Sequence, residues 1–115
     1  MSNKVVETAK KSMGTDDKVE KTFSGTIDGK YGYLVITKNK LLFLKEEGFL
    51  SKSYNVTYNL PYEKIRDVSV KDKYNLEITD LTNGRKVFVS EIAASVIETS
   101  LNSLRNAGKL AAPMP

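Results

Sequence analysis

Four kinds of side chain in this sequence could do chemistry: lysines, carboxylates, tyrosines, and one apolar pair set in a loop. Histidine and cysteine are both absent from its 115 residues. That removes imidazole acid–base catalysis, thiol nucleophiles, disulfides and thiolate metal sites. The carboxylates Asp28, Glu46, Glu63, Asp67, Asp72, Glu77 and Asp80 mostly stand beside basic residues or on exposed strand faces. No spacing holds two of them in one buried site, and no stretch has the ligand pattern of a calcium loop. The chain therefore reads as non-catalytic, with no cofactor and no metal.

The basic residues permit binding without demanding it. Net charge is +4, from 18 Lys and Arg against 14 Asp and Glu. Such a balance suits phosphate or acidic lipid, while the preference for Lys over Arg argues against bidentate base readout. Six tyrosines beside these lysines suggest base stacking. Four of them alternate with aliphatic residues, however, which core or rim packing explains better, so nucleic-acid binding is not expected. The stretch Gly48-Phe49-Leu50-Ser51 is more informative, because an apolar pair in a polar loop is costly to leave in water. Burial against a neighbouring subunit or under the domain is the first expectation, and a membrane interface beside Lys52 is the second.

The elements that must position these groups follow from periodicity. Residues 32–45 hold two apolar runs, 33–36 and 41–44, around a polar break. Each run is short and rich in β-formers, so the pair reads as a hairpin at the centre of the core. Upstream, Val5, Val6, Ala9 and Met13 share one helical face, predicting a helix over 3–13 that packs on the domain, or lies on a membrane through its basic face. A polar linker, 15–18, leads to a strand over 22–27 and a turn at 28–30. Tyr54, Val56, Tyr58 and Leu60 alternate with polar residues, predicting a strand with these four on one face. Residues 61–64 read as a single turn of helix or a tight bend with Pro61 in its first position. A strand over 65–71 follows, then a connection at Asp72-Lys73. Tyr74, Leu76 and Ile78 set the inner face of a sixth strand, Asn83-Gly84 a hairpin turn, and 87–89 a seventh strand. Ile92, Val96, Ile97, Leu101 and Leu104 then recur at helical spacing over about 91–107, with Ser90 as N-cap.

These elements predict a mainly β fold: seven antiparallel strands in a bent sandwich or partial barrel, capped by one C-terminal helix. The expected division is an N-terminal helix and linker over 1–18, the domain over 19–108 and a flexible tail over 109–115. No apolar run approaches the ~20 residues that cross a bilayer. Residues 1–13 also lack the apolar stretch of a signal peptide, so a cytoplasmic location is expected.

At this point the chain resembles the pleckstrin-homology-like superfold, and within it the bacterial and archaeal PH-like and GRAM domains. Residues 32–44 are similar to the second and third strands of those domains, and residues 60–70 to the approach to the fifth. The resemblance implies that the first, third and sixth interstrand loops share one open end. It thereby groups Lys30, Phe49, Leu50, Lys52, Arg85 and Lys86 as a rim for anionic lipid or ligand. It also implies a peptide groove between the fifth strand and the closing helix, where Arg66, Ser69 and Lys71 are the candidates. No basic residue falls in 31–37, where phosphoinositide-binding members carry a Lys/Arg-x-Arg motif. The expected role is a binding or assembly module that self-associates, with peripheral attachment to anionic membrane as the alternative.

Overall fold

The computed structural model describes residues 3–48, 51–92 and 94–106. As the strand patterning predicts, there are seven antiparallel strands, and they form one sheet in the order β4-β3-β2-β1-β7-β6-β5. They are β1 (Val19–Ile27), β2 (Lys30–Thr37), β3 (Lys40–Glu47), β4 (Ser53–Pro61), β5 (Ile65–Asp72), β6 (Asn75–Asp80) and β7 (Lys86–Ser90). Helix α1 (Asn3–Lys10) precedes them, a single 3₁₀ turn (Tyr62–Lys64) follows Pro61, and α2 (Ala94–Asn106) closes the fold. The seam between β1 and β7 spans only the pairs Thr26↔Ser90 and Ile27↔Val89. Beyond that seam the two halves part, and α2 fills the gap with Ala94, Ile97 and Leu101.

The central hairpin is apolar on both faces because both faces are covered. Leu34, Ile36, Leu41 and Phe43 point into the main core with α2. Val35, Leu42 and Leu44 point the other way and are buried beneath Val5 and Ala9 of α1. Continuous rather than alternating apolar runs are the mark of a strand buried on two sides. Glycines let this sheet curl: Gly25 and Gly32 are register partners. A Cβ on Gly32 would overlap the Leu44 carbonyl, and one on Gly25 would press on that of Ser90.

Several expectations are corrected. The register steps from Phe43↔Tyr58 to Leu44↔Val56, so Thr57 is an extra residue in β4. A bulge reverses the alternation. Tyr58 and Leu60 therefore face the main core, whereas Tyr54 and Val56 join the α1 side. Tyr74 lies in the turn before β6 and is exposed, because Asp72 Oδ1 accepts the Tyr74 amide (2.9 Å) and the Asn75 side chain (2.7 Å). These bonds, the amide first, hold the Asp72 carboxyl below its usual range. Asn83-Gly84 is part of a five-residue loop, 81–85, and not a two-residue turn. Gly84 has φ 70° there, and its amide donates to the Asp80 carbonyl (2.9 Å). Ser90 does not cap α2: it pairs with Thr26 in the sheet, Glu91 turns the chain at φ 55°, and the helix starts at Ala94. That later start turns Val96 outward, leaving it 47% exposed.

The linker is more than a spacer. Asp17 Oδ1 accepts the Asn39 amide (3.0 Å) and its Oδ2 lies 3.0 Å from the Thr37 hydroxyl, which pins the β2–β3 turn. The Tyr62 hydroxyl donates to the Thr37 carbonyl from the other side. Lys40 Nζ reaches the Ser12 carbonyl (2.8 Å), tying the end of the α1 segment to the same corner.

Candidate functional site

At the opposite end of the hairpin, four elements converge on a recess of ≈ 360 Å³. The β1–β2 hairpin supplies Asp28 from its turn and Lys30 from the start of β2, β3 supplies Lys45, the β4 bulge supplies Thr57 and Tyr58, and the β6–β7 loop supplies Arg85. The turn is two residues, Asp28 (φ 51°) and Gly29 (φ 82°), a left-handed pair that matches the twist of the flanking strands. It fixes Asp28 as a hub. The Asp28 amide donates to the Phe88 carbonyl (2.8 Å), and Asp28 Oδ1 accepts the Phe88 amide (3.0 Å). Asp28 Oδ2 accepts the Tyr58 hydroxyl (3.0 Å) and lies 3.9 Å from Arg85 Nη2.

Arg85 also stands over the Tyr58 ring at 4.7 Å, so its plane is oriented by stacking as well as by charge. Desolvation by burial, then the hydrogen bond to Asp28, raises the Tyr58 phenol above its ordinary pKa, and the hydroxyl stays a neutral donor. Thr57 Oγ1 donates to the Phe43 carbonyl (3.2 Å) within the bulge. Lys45 pairs with Glu47 (3.4 Å), while Lys30 makes no ion pair among the described residues. The lining thus holds three cationic side chains against one carboxylate. This arrangement can hold an anion. Among the described residues no group of three acidic side chains could hold a metal ion.

The expected rim is only partly assembled here. Lys30 and Arg85 line the recess. Lys52 turns away, pairs with Glu46 (3.6 Å) and offers its carbonyl to Lys4 Nζ (3.1 Å). Lys86 lies on the outer face of β7 and pairs with Glu77 (3.3 Å). Phe49 and Leu50 lie outside the described residues, as does the tail over 109–115. Of the groove candidates, Ser69 is the register partner of Glu77 and Lys71 lies 4.0 Å from that carboxylate. Both stand on the outer face, whereas Ile65 and Val68 are the β5 residues buried on the α2 side. Arg66 is the extra residue at the first register shift of β5.

Lys45, Thr57 and Tyr58 were not among the sequence candidates. Lys45 is legible as the last residue of the hairpin, but Thr57 and Tyr58 reach the site through a bulge that periodicity does not signal. Glu77 is a second surprise, only 8% exposed on an outer strand face. Its flanking lysines, Lys71 and Lys86, pair with it from either side, an arrangement suited to long stems that cover a carboxylate while keeping their charged ends in water.

A bent antiparallel sheet of seven strands, closed by a C-terminal helix and open at a loop-lined mouth, is the frame of a PH-like binding domain. The family model described as bacterial PH domain matches residues 13–113, and the chain belongs to that family. Helix α1 lies ahead of the matched segment. No curated protein matches the sequence. PH domains are in general non-catalytic binding modules, and they often mediate protein or lipid contacts. Among the described residues, no helix is long and apolar enough to cross a membrane.

Proposed function

We propose that this chain is a non-catalytic binding module whose recess takes a phosphate-type anion presented by a lipid head group at a membrane surface. The supporting observation is the convergence of Lys30, Lys45 and Arg85 on one recess, with Asp28 as the lone lining carboxylate. Asp28 is largely occupied: its Oδ1 takes the Phe88 amide and its Oδ2 the Tyr58 hydroxyl. An incoming anion replaces Asp28 as the partner of the Arg85 guanidinium, with Tyr58 keeping the guanidinium plane in place. Lys30 adds a solvated charge at the edge, of the kind that contributes ~1 kcal/mol near an anionic bilayer. Phe49 and Leu50, from which self-association is expected, lie outside the described residues.

Sedimentation with phosphatidylcholine vesicles, with and without phosphatidylserine, tests the proposal. Wild type is expected to co-sediment with the anionic vesicles alone and to be released by about 1 M salt, where the Debye length is ~3 Å. The double variant Lys30→Glu, Arg85→Glu is expected to lose at least about tenfold in bound fraction, since each reversal exchanges attraction for repulsion. Titration with inorganic phosphate separates a soluble phosphate compound from a surface-presented one. Undiminished binding by the double variant overturns the reading. So does a wild type that responds to neither vesicles nor phosphate.

A further inference from the structure

The two free edges of the sheet are built differently. β5 carries Arg66, Asp67, Lys71 and Asp72 among its eight residues, and its register shifts twice. Charges and bulges along an edge are the devices that keep a strand from pairing with a stranger. β4 lacks the first device. From Ser53 to Leu60 it reads Ser-Tyr-Asn-Val-Thr-Tyr-Asn-Leu, without a charge in a chain that is 28% charged. Ser53, Asn55, Thr57 and Asn59 are exposed along it, and among the described residues no strand pairs with its outer side.

We infer that the outer edge of β4 pairs antiparallel with β4 of a second copy of this chain, about a two-fold axis at Asn55. The sequence around that residue is self-complementary in this register. Tyr54 meets Val56 of the other copy, and Val56 meets Tyr54, both on the face that carries α1. Aromatic and β-branched residues are favourable cross-strand partners. On the other face Asn55, whose side-chain amide donates to Glu47 Oε2 of its own chain (2.6 Å), meets Asn55, and Ser53 meets Thr57. No like charges oppose each other anywhere in the ladder, so nothing in β4 discriminates against its own copy. The bulge at Thr57 ends the regular stretch after five residues, an ordinary strand length. A two-fold pairing uses the same edge on both chains, so it closes at two copies rather than growing into a fibre.

The full chain, its variants Asn55→Lys and Asn55→Glu, and an equal mixture of the two variants are run through size exclusion with light scattering over a dilution series. Wild type is expected at the mass of two chains. Asn55→Glu alone is expected at the mass of one, because it sets like charges face to face on the axis and beside Glu47. Asn55→Lys alone is expected to weaken the pair less, since Glu47 stands beside its ammonium. The mixture is expected to recover the two-chain mass, since Lys then meets Glu. Near-ultraviolet circular dichroism of the tyrosines confirms that the variants stay folded, as the exposure of Asn55 leads us to expect. A monomeric wild type overturns the inference, and so does a dimer that Asn55→Glu leaves intact. Asn55 does not line the recess, so loss of the dimer and loss of vesicle binding are separate outcomes.

Discussion

Tyr62 is the residue whose chemistry is most altered by its surroundings. It is 1% exposed, and its hydroxyl is committed to the Thr37 carbonyl. Burial raises its phenol pKa strongly, and the nearby negative charges of Asp17 and Glu20 add to the effect. A folded-state pKa above the unfolded value means stability that is fully present below the ordinary phenol value of ~10 and lost as pH rises beyond it. Tyr58 and Tyr33 shift in the same direction, again with burial as the leading cause. We therefore expect melting temperatures to be flat from neutral pH up to about pH 10 and to fall above it. Tyrosinate absorbance from Tyr62 should appear together with unfolding. Tyr62→Phe should soften the alkaline loss while costing about 1 kcal/mol at neutral pH for the missing hydrogen bond. Ionisation of Tyr62 in the intact fold at the ordinary phenol value would contradict this account.

Among the elements, α2 and the β4 bulge decide most. The short β1–β7 seam leaves the core open, and α2 covers it with Ala94, Ile97 and Leu101, all fully buried. Leu101→Asp places a carboxylate among apolar side chains with nothing to pair with it. That combines a lost Leu with an unpaired charge, a change expected to cost at least about 4 kcal/mol, much of the total for a domain of this size. Chemical denaturation should show a collapsed midpoint, and an unchanged one would remove α2 from the core. The bulge acts on the recess instead. By reversing the alternation at Thr57, it turns Tyr58 inward, where the ring packs edge-on to Phe43 (5.6 Å) and its hydroxyl reaches Asp28. A regular strand here would split Tyr58 from Arg85 and leave the guanidinium without its platform.

For the whole molecule, α1 is what allows one sheet to have two apolar faces. Without it, Val35, Leu42 and Leu44, now fully buried, would meet water along with Val56 and Tyr33. Burial of each large apolar side chain contributes roughly 1.5–3 kcal/mol. Deleting residues 1–12 is therefore expected to lower stability by several kcal/mol, on the order of two such side chains. Dye binding at the new patch should rise, while the recess at the far mouth keeps its lining residues. Unchanged stability after the deletion would mean that α1 is dispensable. The molecule thus shields one apolar face with α1, guards one sheet edge with charge, and leaves the β4 edge and the recess mouth open.

What the sequence by itself determined was the set of elements. Runs such as Tyr33-Leu34-Val35-Ile36 and Leu41-Leu42-Phe43-Leu44 specify strands because β-formers that dense, in runs that short, suit little else. The missing histidine and cysteine narrowed the chemistry for the same local reason, since a residue type that is absent cannot act. Tertiary structure decided the faces and the meetings. Whether Val56 looks toward α1 or toward the core depends on one inserted residue, and a period of two carries no trace of it. Lys30 and Arg85 are far apart in sequence, and they share a recess because β1 pairs with β7. Lys52 and Lys86, equally basic, are drawn off by Glu46 and Glu77, carboxylates whose positions are settled by strand register. Local pattern fixes what each segment becomes, while register and closure fix which charges are drawn onto the outer faces and which line the recess.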